Sequence, residues 1–297
     1  MKKNRKKLLM LLLFIGVLLM LTGCTSPTDE SGHIIQITTD TTFKSIFSDE
    51  SWFSALFVYP LSQAINHLAP SIGVLGAVAL VTFIVQGVIL LFTLKSTIQT
   101  QQMQLIQPEI NKIQRKYEGK NDDASKMRQA QELQNLYKKY GINPFGTILI
   151  TFIQFPIIIA MYQAVQRSYA VTTGSVNFLG ASISMETTPW YGITHGEFMY
   201  AVIFVLMGVC QLVSMMLPQW IAKDKERKEA AKHHRKPNYQ ANPMGNSMYM
   251  MMIPILVLSI MWPSAMTVYW TISSFINILK TLLVQYVFIN KAEKKVG

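Results

Sequence analysis

An apolar run from Ile72 to Leu94 limits what this chain can fold into more than any other feature. A helix that crosses a bilayer needs about 20 predominantly apolar residues, and this run supplies them with no charged side chain. Its most polar side chain is Gln86, and Lys95 follows its last residue. An amide in lipid is costly, so Gln86 is expected to face protein or a hydrated cavity. The run therefore predicts a transmembrane helix with one polar side chain at depth.

The composition is that of a membrane protein. Of the 297 residues, 50% are hydrophobic and 14% are charged, against about 25% charged in soluble domains. The net charge of +11 comes from loops beside apolar runs, so topology explains it and we predict no DNA partner. The 2 cysteines imply no disulfide framework, and the 5 histidines lack metal-ligand spacing. With no nucleophile–base pair or phosphate loop in the sequence, we predict neither an enzyme nor a cofactor.

The first 23 residues are typical of a lipoprotein signal peptide. Basic residues precede an apolar stretch from Leu8 to Leu21. The sequence Leu21-Thr22-Gly23-Cys24 then resembles a lipobox, which predicts that Cys24 is acylated and tethers the chain at the outer face. The alternative is an uncleaved anchor helix with an incidental cysteine.

Two outer segments are predicted before the first span. Residues 24–50 are polar and rich in serine and threonine, which indicates an exposed extracellular linker. Residues 51–69 repeat apolar side chains at helical spacing, which predicts an amphipathic helix at the membrane interface. Pro70 is expected to separate this helix from the first span.

We predict an all-α membrane protein with five transmembrane helices in residues 70–290. The spans are placed at about 72–94, 144–165, 198–217, 244–261 and 265–288. Basic residues concentrate in a helical hairpin (96–140), a loop (218–243) and a short tail (291–297), which are therefore cytoplasmic. This topology puts the N-terminus outside and the C-terminus in the cytoplasm of a multi-pass plasma-membrane protein.

Polar side chains follow one face on four of the five predicted spans. Such stripes can be ordinary interhelical hydrogen bonds, or they can enclose one hydrated groove. The candidate groove residues are Thr82, Gln86, Gln154, Tyr162, Gln211, Trp270, Asn277 and Lys280. The fourth span is apolar all round and rich in methionine, which suits either lipid or varied apolar partners.

Several short runs are distinctive: Gln107-Pro108-Glu109 within the hairpin, Gln154-Phe155-Pro156, and Trp262-Pro263-Ser264 with Tyr269-Trp270. In these runs and in the order of its parts, the chain resembles the YidC family of membrane protein insertases, in its Gram-positive lipoprotein form. The resemblance implies a hydrophilic groove open to the cytoplasm and to lipid but closed outside. It also implies nascent membrane proteins, the ribosome and the Sec translocon as partners, alongside the lipid bilayer.

Two positions depart from the family. The family usually has an arginine where this chain has Gln86, and commonly a glutamine where this chain has Lys280. At about 1.5 Å per residue, both positions lie roughly 12 Å inside the cytoplasmic ends of their spans. We therefore hypothesise that the positive charge has moved from the first span to the fifth. The alternative is that Lys280 extends to the interface and does not contact substrates.

Two other functions remain open from the sequence. A specialised assembly scaffold with weak insertase activity is compatible with the missing arginine. A small-solute transporter could use the same polar groove, but it would predict inverted repeats or paired broken helices, which the sequence does not show.

Overall fold

In the computed structural model, residues 26–143, 145–232, 234 and 243–290 are described. Cys24 and the tail at 291–297 lie outside these residues. The described chain is mostly helical, with one small β-hairpin. It is an all-α membrane protein.

The elements follow one another in a simple order. The helices are α1 (Phe43–Asp49), α2 (Tyr59–Leu105), α3 (Gln107–Lys116), α4 (Asp123–Lys139), α5 (Phe145–Arg167), α6 (Tyr169–Thr172), α7 (Pro189–Thr194), α8 (Phe198–Lys232), α9 (Pro243–Met261) and α10 (Ser264–Leu283). Single π-helical turns lie at Ser54–Val58 and Val284–Ile289. Strands β1 (Ser175–Phe178) and β2 (Ala181–Ser184) pair antiparallel, with Ser175 opposite Ser184.

Three helical stretches of the described chain are long and apolar enough to cross a membrane: Ser54–Leu105, Phe198–Lys232 and Ser264–Ile289. Helix α5 has 23 residues and α9 has 19, with a shorter apolar stretch at Met252–Met261. The chain is a multi-pass membrane protein, and the count of five spans stays a prediction.

The break after the predicted interfacial helix lies at Gly73, not at Pro70. Helix α2 continues through Pro70, and Gly73 adopts φ 74° and ψ 163°. Proline removes a backbone donor and strains the helix, but only glycine adopts this backbone conformation without steric penalty. The direction of the chain therefore changes at the first glycine after the proline.

Helix α8 also runs further than the sequence indicates. It continues through Pro218 to Lys232, so much of the predicted basic loop is helical. Proline inside a helix usually kinks rather than ends it when the flanking residues favour helix.

The chain forms two compact units. The first contains residues 26–81, 152–200 and 263–266, and the second contains residues 82–151, 201–262 and 267–290. A buried apolar cluster in the first unit joins the N-terminal segment to α5. Its buried members are Ile37, Ile46, Phe53, Ala55, Val58, Ala160 and Ala164. In the second unit a smaller cluster closes the α3–α4 hairpin, with Ile106, Ile110, Leu136 and Ile142.

The N-terminal segment (residues 26–50) is folded, which differs from the exposed linker predicted from its polarity. Ile37 has no exposed surface, and its amide donates to the Arg167 carbonyl at 2.6 Å. Asn66 Nδ2 donates to the Ile37 carbonyl at 2.6 Å, and Ser26 Oγ donates to Gln166 Oε1 at 3.0 Å. Each of these hydrogen bonds joins the N-terminal segment to a residue far from it in sequence, so the local composition could not predict them.

Candidate functional site

Gln86 makes an interhelical hydrogen bond in the second unit. Its side chain is 4% exposed, and its Nε2 donates to Ser273 Oγ at 3.2 Å, which links α2 to α10. The buried Tyr269 hydroxyl lies at this pair without a well-aligned hydrogen bond to any described residue. The amide that looked anomalous in the sequence is therefore satisfied by another helix.

The next residue of α10 makes a second link. Ser274 Oγ donates to Gln211 Oε1 at 2.5 Å, which joins α10 to α8. Consecutive helical residues point about 100° apart, so Ser273 and Ser274 reach two different helices. Each such bond contributes only about 0.6 kcal/mol on average in a membrane protein, so their main consequence is to fix the orientation of α10.

A third amide link lies near the end of α10. Gln101 Nε2 donates to Gln285 Oε1 at 2.9 Å and to the Thr281 carbonyl at 3.2 Å. Gln285 Nε2 in turn donates to Asn290 Oδ1 at 2.8 Å. Neither Gln101 nor Gln285 was among the predicted groove residues. The sequence carried a signal for Gln285, an amide in the apolar fifth span, but Gln101 lies in the polar segment that was assigned to the hairpin (96–140).

Thr82 and Trp270 belong to the second unit, and both side chains are buried. Thr82 has no exposed surface, and Trp270 is 8% exposed. The Trp270 ring stacks on Trp262 with 5.4 Å between centroids and 15° between planes. Both residues therefore help to pack the unit.

Asn277 and Lys280 are different from the other polar residues of α10. Both are half-buried, and neither side chain forms a hydrogen bond or ion pair within the part of the chain that the structure describes. They are separated by three positions on α10, so they share one side of the helix. An amide and an ammonium group are thus available on a membrane-spanning helix.

Gln154 and Tyr162 belong to the first unit and are half-buried on α5. Tyr162 accepts a hydrogen bond from Gln166 Nε2 at 2.8 Å. The eight predicted groove residues are thus divided, with six in the second unit and two in the first. That they line a single groove remains a prediction.

A buried ion pair in the first unit is the polar feature that the sequence did not reveal. The Arg167 guanidinium is fully buried and donates to both carboxylate oxygens of Glu50, at 2.7 and 2.5 Å. Its Nε also donates to the Ile35 carbonyl at 2.9 Å. The only sequence signal was an arginine at the end of an apolar span next to a loop, residues 168–197, without lysine or arginine.

Helices α3 and α4 pair through both apolar and charged contacts. Lys116 Nζ lies 2.5 Å from Glu132 Oε1, and the Tyr117 hydroxyl donates to the same oxygen at 2.9 Å. The Tyr140 hydroxyl donates to Glu109 at the other end of the hairpin. The Lys116 ammonium and then the Tyr117 hydroxyl lower the pKa of Glu132, and the Glu132 carboxylate raises the pKa of Lys116.

This pair predicts a pH dependence for the hairpin. The lowered pKa of Glu132 adds stability above its usual 4.5, and that stability is lost as the pH falls through the lowered value. The raised pKa of Lys116 adds stability that is lost only above its usual 10.5. Amide hydrogen exchange of residues 107–139 in the full-length protein, corrected for intrinsic rates, should therefore quicken in acid.

Glu132→Gln should remove the part of this acid response that comes from Glu132, leaving the part from the Asp122 cap of α4, and should quicken exchange already at neutral pH. Glu118→Gln is the matched control, since Glu118 is exposed on the same hairpin and makes no side-chain bond there. If the corrected exchange rates of the unaltered protein do not change in acid, the ion pair does not stabilise the hairpin.

Comparison with known proteins places the chain in a family. Residues 64–292, which are most of the chain, match the family model described as 60Kd inner membrane protein. The chain belongs to this family, which is the YidC family. It is 32% identical to membrane protein insertase YidC 1 of Streptococcus pyogenes serotype M1, over 80% of this chain and 76% of that protein.

Two further YidC-family relatives extend over nearly the whole chain. Membrane protein insertase MisCA of Bacillus subtilis is 29% identical over 95% of this chain and 92% of its own length. YidC 1 of Listeria monocytogenes is 28% identical over 99% of this chain and 88% of its own length. The similarity therefore includes the N-terminal segment as well as the helical core.

Proposed function

We propose that this chain is a membrane protein insertase and chaperone, which helps integral membrane proteins to insert, fold and assemble. The observation that carries the proposal is the similarity to relatives named membrane protein insertases, which extends over 88–92% of the length of two of them. No catalytic step is needed for this activity, and we propose none.

The proposed mechanism lowers the cost of moving polar groups into the bilayer. A hydrophilic groove among five spans, open to the cytoplasm and to lipid, would accept the polar flank of a client. Burial of the apolar client helix then drives release into lipid, at about 25 cal/mol per Å². The apolar surfaces of α5 and α9 are the proposed exit path.

Within the groove, we assign the main client contact to Asn277 and Lys280. Gln86 and Gln211 are already bonded to Ser273 and Ser274, so a client would have to displace those bonds. Lys280 is half-buried and has no acidic partner among the described residues. An intramembrane ammonium without a partner is a functional candidate, and it favours clients with an acidic flank.

The proposed clients are nascent membrane proteins, delivered by the ribosome alone or with the Sec translocon. The hairpin and the basic end of α8 would meet ribosomal RNA or an emerging client on the cytoplasmic side, where basic residues are attracted to phosphate. In the proposed topology, the acylated Cys24 and residues 24–69 lie outside the cell, and residues 291–297 lie in the cytoplasm. No DNA partner is proposed.

Rescue of a bacterial strain depleted of its own insertase tests the proposal in cells. We expect the chain to restore growth when it is expressed in the membrane. Normal membrane expression without rescue would instead favour the specialised assembly scaffold. Rescue that depends on a solute in the medium would favour the small-solute transporter.

A further inference from the structure

A π turn follows the last α-helix of the second unit. Helix α10 (Ser264–Leu283) passes directly into the π turn at Val284–Ile289, where the Asn290 amide donates to the Gln285 carbonyl five residues back. Single π turns within helices are rare and frequently lie at functional sites. This one begins four positions after Lys280, the proposed client contact.

Side-chain amides from two helices meet at the π turn. We call Gln101, Gln285 and Asn290 the amide chain. Gln101 Nε2 donates to Gln285 Oε1 at 2.9 Å and, on the α-helical side of the junction, to the Thr281 carbonyl at 3.2 Å. Gln285 Nε2 donates to Asn290 Oδ1 at 2.8 Å. Gln101 and Gln285 are only 6% and 5% exposed, so loss of either partner would leave a buried amide unpaired.

The bond between Gln285 and Asn290 requires the π register. In an α-helix successive side chains turn by about 100°, so residues five apart point about 140° away from each other. A π turn follows i→i+5 backbone bonds, which brings such residues back to one side of the helix. The buried Val284 and Ile289 are also five apart. Return to an α-helix would therefore break the amide chain and turn Ile289 away from the side that buries Val284.

The amide chain lies next to an ammonium group that has no partner of its own. Lys280 makes no hydrogen bond or ion pair with any described residue, so the backbone of α10 sets its location. The bonds of Ser273 and Ser274 to other helices hold α10 about two turns before Lys280. Gln101 holds the carbonyl of Thr281, which is the next residue after Lys280. Among the described residues, Gln101 is thus the interhelical anchor nearest to the charge.

We propose that Gln101 is a positioning residue for Lys280. By holding the junction between α10 and the π turn, it fixes the register in which α10 presents the ammonium group to the acidic flank of a client. A binding group must be held within about 0.5 Å and about 10–20° of its productive place, so a change of register by one residue is enough to misplace it. This inference rests on the proposed insertase function, whereas the register can be measured without a client.

Alkylation of single cysteines measures the register. Gln101→Met keeps the size of the side chain and removes both donated bonds. Ile289→Cys is introduced into the full chain carrying Cys210→Ser, and the same chain without the added cysteine measures labelling of Cys24. Tyr286→Cys is the matched control, because Tyr286 is exposed and lies early in the π turn, so it turns little when the register changes. In detergent we expect N-ethylmaleimide to label position 289 several-fold faster in Gln101→Met, with position 286 unchanged.

Insertion into liposomes then tests whether this register serves Lys280. Gln101→Met should slow insertion of a client with an acidic flank several-fold and leave a client with a neutral flank unchanged. In a Lys280→Gln background, Gln101→Met should have no further effect on the acidic client. Gln99→Met is the matched control, since Gln99 lies on the other side of α2 and makes no side-chain bond to a described residue. Asn290→Ala breaks only the last bond of the amide chain and is a milder variant for both measurements.

Unchanged labelling at position 289 in Gln101→Met would overturn the proposal, because the register would not depend on Gln101. Equal slowing of both clients would also overturn it, since Gln101 would then support the fold rather than the charge. Normal insertion of the acidic client despite a changed register would show that the register does not position Lys280. If the unaltered chain inserted neither client, the proposed function would fail and the role of Lys280 with it, while labelling at 289 would still decide the register.

Discussion

Replacing Arg167 with alanine is expected to destabilise the protein by about 3–5 kcal/mol, the usual effect of breaking a buried ion pair. The substitution leaves the Glu50 carboxylate buried without its two donors at 2.7 and 2.5 Å. It also removes the donor to the Ile35 carbonyl, so the N-terminal segment loses two anchors together. Unfolding in detergent, followed by circular dichroism with a denaturant series, measures the change.

Two control variants separate the ion pair from simple loss of volume. Arg167→Met with Glu50→Leu removes both charges, and we expect it to recover most of the lost stability. Asp49→Ala removes an exposed carboxylate next to Glu50 and should change stability little. If Arg167→Ala lowers the free energy of unfolding by less than about 1 kcal/mol, the ion pair contributes no more than a surface pair does. That result would contradict a stabilising buried ion pair.

Replacing Lys280 with glutamine is expected to reduce insertion of a client with an acidic flank by about tenfold, which corresponds to about 1.4 kcal/mol. Two charges 4 Å apart interact by about 4 kcal/mol at an effective dielectric constant near 20, so one ammonium can supply this difference. Insertion into liposomes by the purified protein, scored by protease protection of the client, measures the effect.

The controls for this prediction vary charge at one position at a time. A client with a neutral flank should insert equally with either residue at position 280. Lys44→Gln removes an exposed lysine from α1, outside the proposed client contacts, and should have no effect. Gln86→Arg should restore insertion in the Lys280→Gln background, although it also breaks the bond to Ser273. Normal insertion of the acidic client by Lys280→Gln alone would show that the charge has not moved.

The sequence predicted the class of fold and the hairpin because both depend on local patterns. Apolar length alone indicates a span, and helical periodicity on both sides of a turn indicates two paired helices. In the structure these two helices are α3 and α4. Polarity at Gln86 was also a sound signal, because a buried amide needs a partner wherever it lies.

What the sequence did not predict depends on long-range pairing. Glu50 and Arg167 are 117 positions apart, and nothing in either neighbourhood identifies the other. The same holds for Gln86 with Ser273, 187 positions apart. The sequence listed Gln86 and Gln211 as candidate groove residues and did not show that both form hydrogen bonds between helices. Helix length past Pro70 and Pro218 was missed because proline was taken as a boundary rather than a kink.

The most direct measurement of the central claim is insertion by the purified full-length chain into liposomes that contain no other protein. A single-span client with a short acidic outer flank is synthesised in a cell-free system and then exposed to protease. We expect protected client in liposomes that hold the chain and little in empty ones, with the difference reduced by Lys280→Gln. Equal protection with and without correctly incorporated chain would contradict insertase activity.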